Sequence, residues 1–284
     1  MHIKKIQKGL LKKSFTYLSK SKRRGIDIGS SPLCFLTTWA KNPGNMKLNQ
    51  FLGKKADYIY LLKNILSTGK HHDLGIFFDE NFHKKTQHKI IISYSTEDNF
   101  NKQNIFFDNY FGLNSKDKRY TWFLISLDNF VPKKIDDNLI IVSKKNKSSL
   151  SLVYAIKRLL ILMKSKSFSL LKFSHYCWAD YDYTKKINSL FTEFFDNKKI
   201  KKVLFNYECI PWQNSLMDVI KKKDKNIKVL GYLHCAPWPL QTDLIFRDFS
   251  LDIMLLSSPQ QKKVLKKFLG WKKNKIKVIP SLRF

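Results

Sequence analysis

Residues 202–284 alternate short apolar runs with segments of helical period, and charged or aromatic groups stand where the runs stop. Lys202-Val-Leu-Phe-Asn206 reads as a buried strand and ends in Tyr207-Glu208. From Pro211 onward the apolar positions 212, 216, 219 and 220 fall on one helical face. A second strand over 227–233 delivers His234, and further strands are predicted at 251–256 and 276–279. Between those two, Ser258-Pro259-Gln260-Gln261 combines an N-cap serine, proline at the first helical position and glutamine at the third, a capping box. Val264, Leu265, Phe268 and Leu269 form the apolar face of that helix, and Gly270 is its expected stop.

The same alternation, less sharply punctuated, runs through the earlier chain. Strands are predicted at 32–38 (Pro-Leu-Cys-Phe-Leu-Thr-Thr, ending in Trp39), at 89–95, at 120–127 and at 138–143. Helices are predicted at 56–66, closed by Gly69, over 150–173 and at 183–195, the last preceded by Asp180 and Asp182. Asn42-Pro-Gly-Asn45 is turn chemistry, and Asp108-Asn-Tyr-Phe-Gly112 reads as a loop. Ser21-Lys-Arg-Arg-Gly25 separates a leader, residues 1–24, from one folded body over 25–284. Strands alternating with helices predict an α/β fold, a Rossmann-like, mostly parallel sheet with helices on both faces. In such sheets ligands bind outside the carboxyl ends of the strands, which is where Glu208 and His234 fall.

Composition narrows the function classes. At 284 residues, 43% hydrophobic and 14% aromatic, the chain has the make-up of a folded protein. A net charge of +31 suggests an anionic partner, yet only six of the 53 basic residues are Arg. Readers of phosphate and bases favour the planar guanidinium fork, so the lysine excess disfavours a nucleic-acid-binding protein. Ile3, Ile6, Leu10, Leu11 and Leu18 share one helical face of the leader with Lys4, Lys5, Lys8, Lys12 and Lys13 around it, a pattern that can lie on an anionic membrane surface or pack on its own domain. No apolar run approaches the ~20 residues needed to span a bilayer. Cys34, Cys177, Cys209 and Cys235 form no C-x-x-C pair, and the seven histidines show no ligand spacing. A cytoplasmic location, with peripheral contact at the inner membrane face, is the expectation, and no structural metal is expected. No G-x-G-x-x-G, no P-loop and no G-x-S-x-G occurs, which disfavours dinucleotide, P-loop and α/β-hydrolase chemistry.

Tyr207-Glu208-x-x-x-Trp212-Gln213, then Gly231-Tyr232-x-His234, Gly270-Trp271 and Ile279-x-Ser281-Leu282-Arg283-Phe284 resemble bacterial glycosyltransferases of the GT-B type that build surface carbohydrate. The pattern is also distantly similar to the Kdo-transferase group, where a Glu precedes a Trp-Pro pair at an equivalent strand end. Leu36-Thr-Thr-Trp39 and Asp108-Asn-Tyr-Phe-Gly112 are weaker echoes. The resemblance implies the acceptor-side half of a two-domain enzyme, with Arg283-Phe284 closing that half and the donor-binding half absent from the chain. It implies sugar transfer from a nucleotide-sugar donor, without a cofactor, to a saccharide or lipid-linked acceptor in cell-surface polysaccharide synthesis, with a donor-domain partner chain.

Within that frame Glu208 is the candidate base for the acceptor hydroxyl. The alternative is a Glu that caps the next helix or pairs with lysine. His234 is placed to hydrogen-bond a sugar or phosphate, Trp39 to stack on a sugar, and Thr38 to offer a hydroxyl. Tyr207 stands beside the base, Trp212 either packs its helix or stacks on sugar, and Arg283 binds phosphate or ties two domains together. Asp180 and Asp182 are alternative bases, or helix caps. Two other readings fit the sequence: a non-catalytic subunit that holds acceptor or membrane for a separate donor domain, and a basic nucleic-acid-binding protein whose binding falls steeply with salt.

Overall fold

The computed structural model describes residues 73–84, 89–145, 156, 179–196, 199–208, 211–234, 251–267 and 271–282. The leader, the strand expected at 32–38 with Thr38 and Trp39, the helix at 56–66, all of 150–173 except helical Ile156, Gly270 and Arg283 lie outside the described residues.

Eight strands form one sheet: β1 (Leu74–Phe78), β2 (Lys89–Ser95), β5 (Thr121–Ser126), β6 (Leu139–Lys144), β7 (Lys202–Asn206), β8 (Lys228–Leu233), β9 (Ile253–Leu256) and β10 (Ile276–Val278). Their order is β1-β6-β5-β2-β7-β8-β9-β10. Every pairing is parallel except β1 with β6, where an antiparallel strand closes one edge. Strands β3 (Phe107–Asp108) and β4 (Leu113–Asn114) form a separate small hairpin. The α/β architecture and mostly parallel sheet expected from the sequence are present, flanked by α1 (Ala179–Phe195), α2 (Pro211–Lys223) and α3 (Pro259–Lys267).

The strand order explains how the sheet is covered. From β2 the chain steps outward to β5 and β6, then returns past β2 to build β7, β8, β9 and β10 on the other side. Crossovers between parallel strands are right-handed, so the connections of the two halves fall on opposite faces. Accordingly α1, α2 and α3 cover one face, where Ile90, Ile92, Phe123, Val203 and Phe205 meet Phe191, Leu216 and Leu265. The opposite face, carrying Ile91, Trp122, Leu124, Leu139, Ile141 and Tyr232, is covered by Phe106 and Phe111 of the β2–β5 connection and by Leu282. That connection holds a 3-10 turn (Glu97–Asn99) and the β3–β4 hairpin among its described elements. The direction of the chain reverses between β2 and β7, which makes the carboxyl ends of these two strands the topological switch point.

Local sequence accounts for the elements. Residues 183, 187, 190, 191, 194 and 195 put Tyr183, Ile187, Leu190, Phe191, Phe194 and Phe195 on one stripe of α1. Helix α1 begins earlier than expected, so Asp180 and Asp182 lie within it and not ahead of it. On α2, Met217 is buried and Val219 is half-buried, because α1 packs alongside: Asn188 Nδ2 donates to Ser215 Oγ at 2.8 Å. The capping box of α3 is formed. Ser258 Oγ accepts from the Gln261 N–H at 3.2 Å and Gln261 Oε1 accepts from the Ser258 N–H at 3.1 Å.

Several lysines are occupied in finishing these elements. Lys223 Nζ donates to the carbonyl of Phe195 at 2.5 Å, and Lys221 Nζ to that of Ile227 at 2.6 Å while pairing with Asp252 at 2.6 Å. These ammonium groups satisfy carbonyls at the ends of α1 and of the α2–β8 turn, a use of positive charge at helix C-termini.

Candidate functional site

The site is assembled at the switch point from strand ends, one helix start and one turn. Strand β7 pairs with β2 on one side and β8 on the other, with Ile92 level with Phe205 and Asn206 level with Tyr232. The chain leaves β7 through Tyr207 and Glu208, and leaves β8 through His234. The carboxylate Oε1 of Glu208 lies 3.6 Å from His234 Nε2, with side-chain exposures of 33% and 9%. Solvent therefore reaches the carboxylate while the imidazole is mostly covered. At 3.6 Å the two form an ion pair when the imidazole is protonated, but not a direct hydrogen bond. The sequence expectation that these two groups meet at the rim of a parallel sheet agrees with this geometry.

Glu208 is held through its backbone. Gln213 Oε1 accepts the Glu208 N–H at 2.9 Å, and Gln213 Nε2 donates to the Asn206 carbonyl at 2.5 Å and lies 3.5 Å from the Tyr94 hydroxyl. One buried glutamine in the first turn of α2 thus fixes both the exit of β7 and the start of the helix.

Aromatic rings close the site on two sides. Tyr110 lies against His234, with ring centroids 4.7 Å apart and planes inclined by 56°. The same tyrosine meets Tyr94 edge-on at 6.5 Å, and Tyr94 meets Trp212 edge-on at 6.0 Å. Burial first, then the negative charge of Glu208, push the Tyr94 hydroxyl well above its ordinary range, so it stays protonated. Tyr94 therefore presents a neutral hydroxyl to the carboxylate side of the site.

Tyr110 is positioned by a turn built on Asp108. Asp108 Oδ1 accepts the N–H groups of Tyr110 at 2.7 Å and Phe111 at 3.0 Å, while its carbonyl accepts the Gly112 N–H at 2.9 Å. Gly112 has a φ of +62°, and a Cβ there would stand 2.8 Å from the carbonyl oxygen of Leu282, so only glycine fits. Burial raises the Asp108 carboxyl above the usual carboxylate range, opposed by the Ser93 hydroxyl and the two backbone N–H groups.

The remaining sequence candidates divide plainly. Tyr207 is buried, with its hydroxyl donating to Asn214 Oδ1 at 2.8 Å, and Trp212 is 7% exposed among core residues. Both face the helix layer and neither offers an open surface. Thr38, Trp39 and Arg283 lie outside the described residues. Tyr94 and Tyr110 are not among the residues expected from the sequence as individual site groups; their signal is polar aromatics where an apolar run meets a loop. Among the described residues no three His, Cys, Asp or Glu side chains are grouped to hold a metal ion, and no helix is long and apolar enough to cross a membrane.

No protein-family model matches the sequence, and no curated protein and no solved structure is significantly similar to it.

Proposed function

We propose that this chain is the acceptor-side domain of a GT-B-type glycosyltransferase of cell-surface polysaccharide synthesis, with Glu208 as the base. The observation that carries the reading is the Glu208–His234 pair, 3.6 Å apart at the carboxyl edge of β7 and β8 beside the switch point. A solvent-reached carboxylate backed by an imidazole and two tyrosines is suited to a polyhydroxylated acceptor, which needs one proton acceptor and several neutral partners. Glu208 takes the proton of the acceptor hydroxyl as that oxygen bonds to the anomeric carbon of the donor sugar. The bond from that carbon to the nucleotide phosphate breaks, and the electron pair leaves with the phosphate. A second lobe, facing this edge of the sheet, receives the nucleotide-sugar, and helix N-termini or cations there stabilise the departing phosphate. His234 and Tyr94 orient the acceptor. The basic leader contributes contact with an anionic membrane surface, where a lipid-linked acceptor resides.

The test is sugar transfer by the full chain with its donor-binding partner, using a panel of nucleotide-sugars and lipid-linked or saccharide acceptors. Glu208→Gln keeps the shape and removes the basicity. Turnover should fall roughly 100- to 10,000-fold with the donor KM little changed. Unaltered turnover in the variant would remove Glu208 from the base role, and absence of transfer with every donor would refute the reading.

A further inference from the structure

We propose that the hairpin-covered face at the carboxyl ends of the paired strands β2 and β7, beneath the turn at residues 108–112, becomes a binding site for a neutral hydroxyl-bearing ligand when that turn lifts, and that Asn206 reads it. Asn206 ends β7 with no exposed surface, and neither its Oδ1 nor its Nδ2 has a hydrogen-bond partner. Ser95, at the end of β2, is equally buried and its hydroxyl is also without a partner. A carboxamide left unpaired in the interior loses its hydration and gains nothing in return. Residues of this kind persist where something outside the free structure repays the loss, and functional sites are the usual place.

The location supports a ligand and not a packing accident. Side chains alternate along a strand, so Asn206 shares its face with Leu204, and it stands level with Tyr232 on β8. On its other flank the β2–β7 register, which pairs Ile92 with Phe205, continued by one residue places Ser93 beside it. Both flanks are covered by one turn: Asp108 lies against Ser93, and the Phe111 ring sits 5.7 Å from that of Tyr232. Asn206 is therefore directly under the turn whose next residue, Tyr110, touches His234. This is the switch point, where doubly wound sheets take their ligands.

The groups present define the ligand. An amide with two donors and an acceptor, with the Ser95 hydroxyl on the same face, offers matched partners for hydroxyl groups, and neither is a cation that would favour phosphate. The cover is short, two strands of two residues each, pinned by Asp108, by Asn99 Nδ2 donating to the Phe107 carbonyl at 3.0 Å and by Asn138 Nδ2 donating to the Ser115 carbonyl at 3.0 Å. Lifting the turn uncovers Asn206 and frees Tyr110 from His234, so entry of the ligand and arrangement of the Glu208–His234 pair are one event. The choice of a sugar as ligand rests on the transferase reading; the site itself rests on the buried unpaired groups.

The experiment follows the Asn206 side-chain amide in the 15N-labelled full chain, its signals assigned by their loss in Asn206→Leu. Glucose and N-acetylglucosamine are the probes, with inorganic phosphate as the charged comparison. A monosaccharide should shift the Asn206 amide pair saturably and phosphate should not. Asn206→Leu, similar in volume and apolar, should raise the thermal midpoint while weakening sugar binding about tenfold or more, since one good hydrogen bond is of that size. Ser95→Ala, a smaller change, should weaken binding in the same direction. No saturable shift with either sugar, a shift with phosphate of equal strength, or undiminished binding in both variants would overturn the proposal. Sugar binding without any transfer would leave this site standing and remove the transferase reading; transfer unaffected by Asn206→Leu would do the reverse.

Discussion

Gly231 sits in β8 across from Phe205 of β7, the strand that leads into Glu208, and Gly231→Ala tests how tightly the two strands are fitted. A Cβ built there would stand 3.0 Å from Leu251 Cδ1 and 3.1 and 3.2 Å from Tyr207 Cβ and Cγ. Optimal carbon contacts are about 3.5–4.0 Å, so each of the three is compressed. The leucine end can swing aside. The tyrosine cannot, because its Cβ belongs to the adjacent backbone, its ring is 1% exposed and its hydroxyl is tied to Asn214 at 2.8 Å. Replacing glycine in a strand gains about 0.5–1 kcal/mol from the unfolded chain, while forcing a methyl into a filled interior costs about 1–3 kcal/mol. Loss of the Tyr207–Asn214 bond adds about 1 kcal/mol. The net expectation is destabilisation by about 1–3 kcal/mol. Because Glu208 is the next residue after Tyr207, the displaced strand end also carries the carboxylate away from His234.

Urea unfolding of both proteins, analysed by linear extrapolation, measures the stability change. Gly75→Ala supplies the internal comparison. The atoms nearest its Cβ all belong to the side chain of Lys145, an exposed residue that can turn away, so the same backbone gain should appear without the steric loss. Gly75→Ala is expected to be neutral or slightly stabilising. Equal effects from the two substitutions would show that the Tyr207 contact is not the cause, and the reasoning would fail.

Two further outcomes are expected. Burial raises the Asp108 carboxyl, so the folded state holds its proton more tightly than the unfolded chain does. That contribution is complete below the unfolded value of about 3.9 and is lost as pH rises through the folded value, so wild type should lose stability relative to Asp108→Asn over that span. The carboxamide keeps the acceptor for the Tyr110 and Phe111 N–H groups; a stability difference that does not vary with pH would refute the assignment. At the start of α3, Gln261 accepts from the N–H groups of Ser257 and Ser258 at 2.8 and 3.1 Å and donates to the Leu233 carbonyl at 3.3 Å. Gln261→Ala should therefore cost about 2 kcal/mol in urea unfolding, against about 1 kcal/mol for Ser258→Ala, whose hydroxyl accepts a single N–H; the reverse ranking would refute it.

The sheet was largely legible because its strands are buried on both faces and so read as continuous apolar runs. Lys89–Ser95, Lys202–Asn206 and Ile276–Val278 fall at or within a residue of their expected bounds. β1 was missed: Leu-Gly-Ile-Phe-Phe is short, contains glycine and lies at the antiparallel edge, where an apolar run carries little weight. The α3 cap was read correctly since its chemistry is local, four consecutive residues whose partners are each other. The start of α1 was placed late because the aromatics and aspartates ahead of Tyr183 look like a loop while the chain is already helical.

The candidate site was legible in its carboxylate and imidazole but not in what surrounds them, and the reason is topological. Glu208 and His234 follow consecutive strands of one sheet, so strand periodicity alone brings them to one edge. Tyr94 and Tyr110 come from β2 in the other half and from the excursion after it, more than a hundred positions before His234 in the chain. Tyr110 reaches His234, and Tyr94 stands behind Tyr110, because β7 returns to pair with β2, and no local pattern announces where a doubly wound sheet reverses. Asn206 shows the same limit more sharply. As the last residue of an apolar run it reads as the polar end of a strand, where an amide would meet solvent or cap a turn. Its burial without partners follows from the 108–112 turn closing over that face, a contact between segments separated by nearly one hundred residues. A residue that obeys the local pattern yet violates the rule of paired interior polar groups is the sign that a third component belongs there.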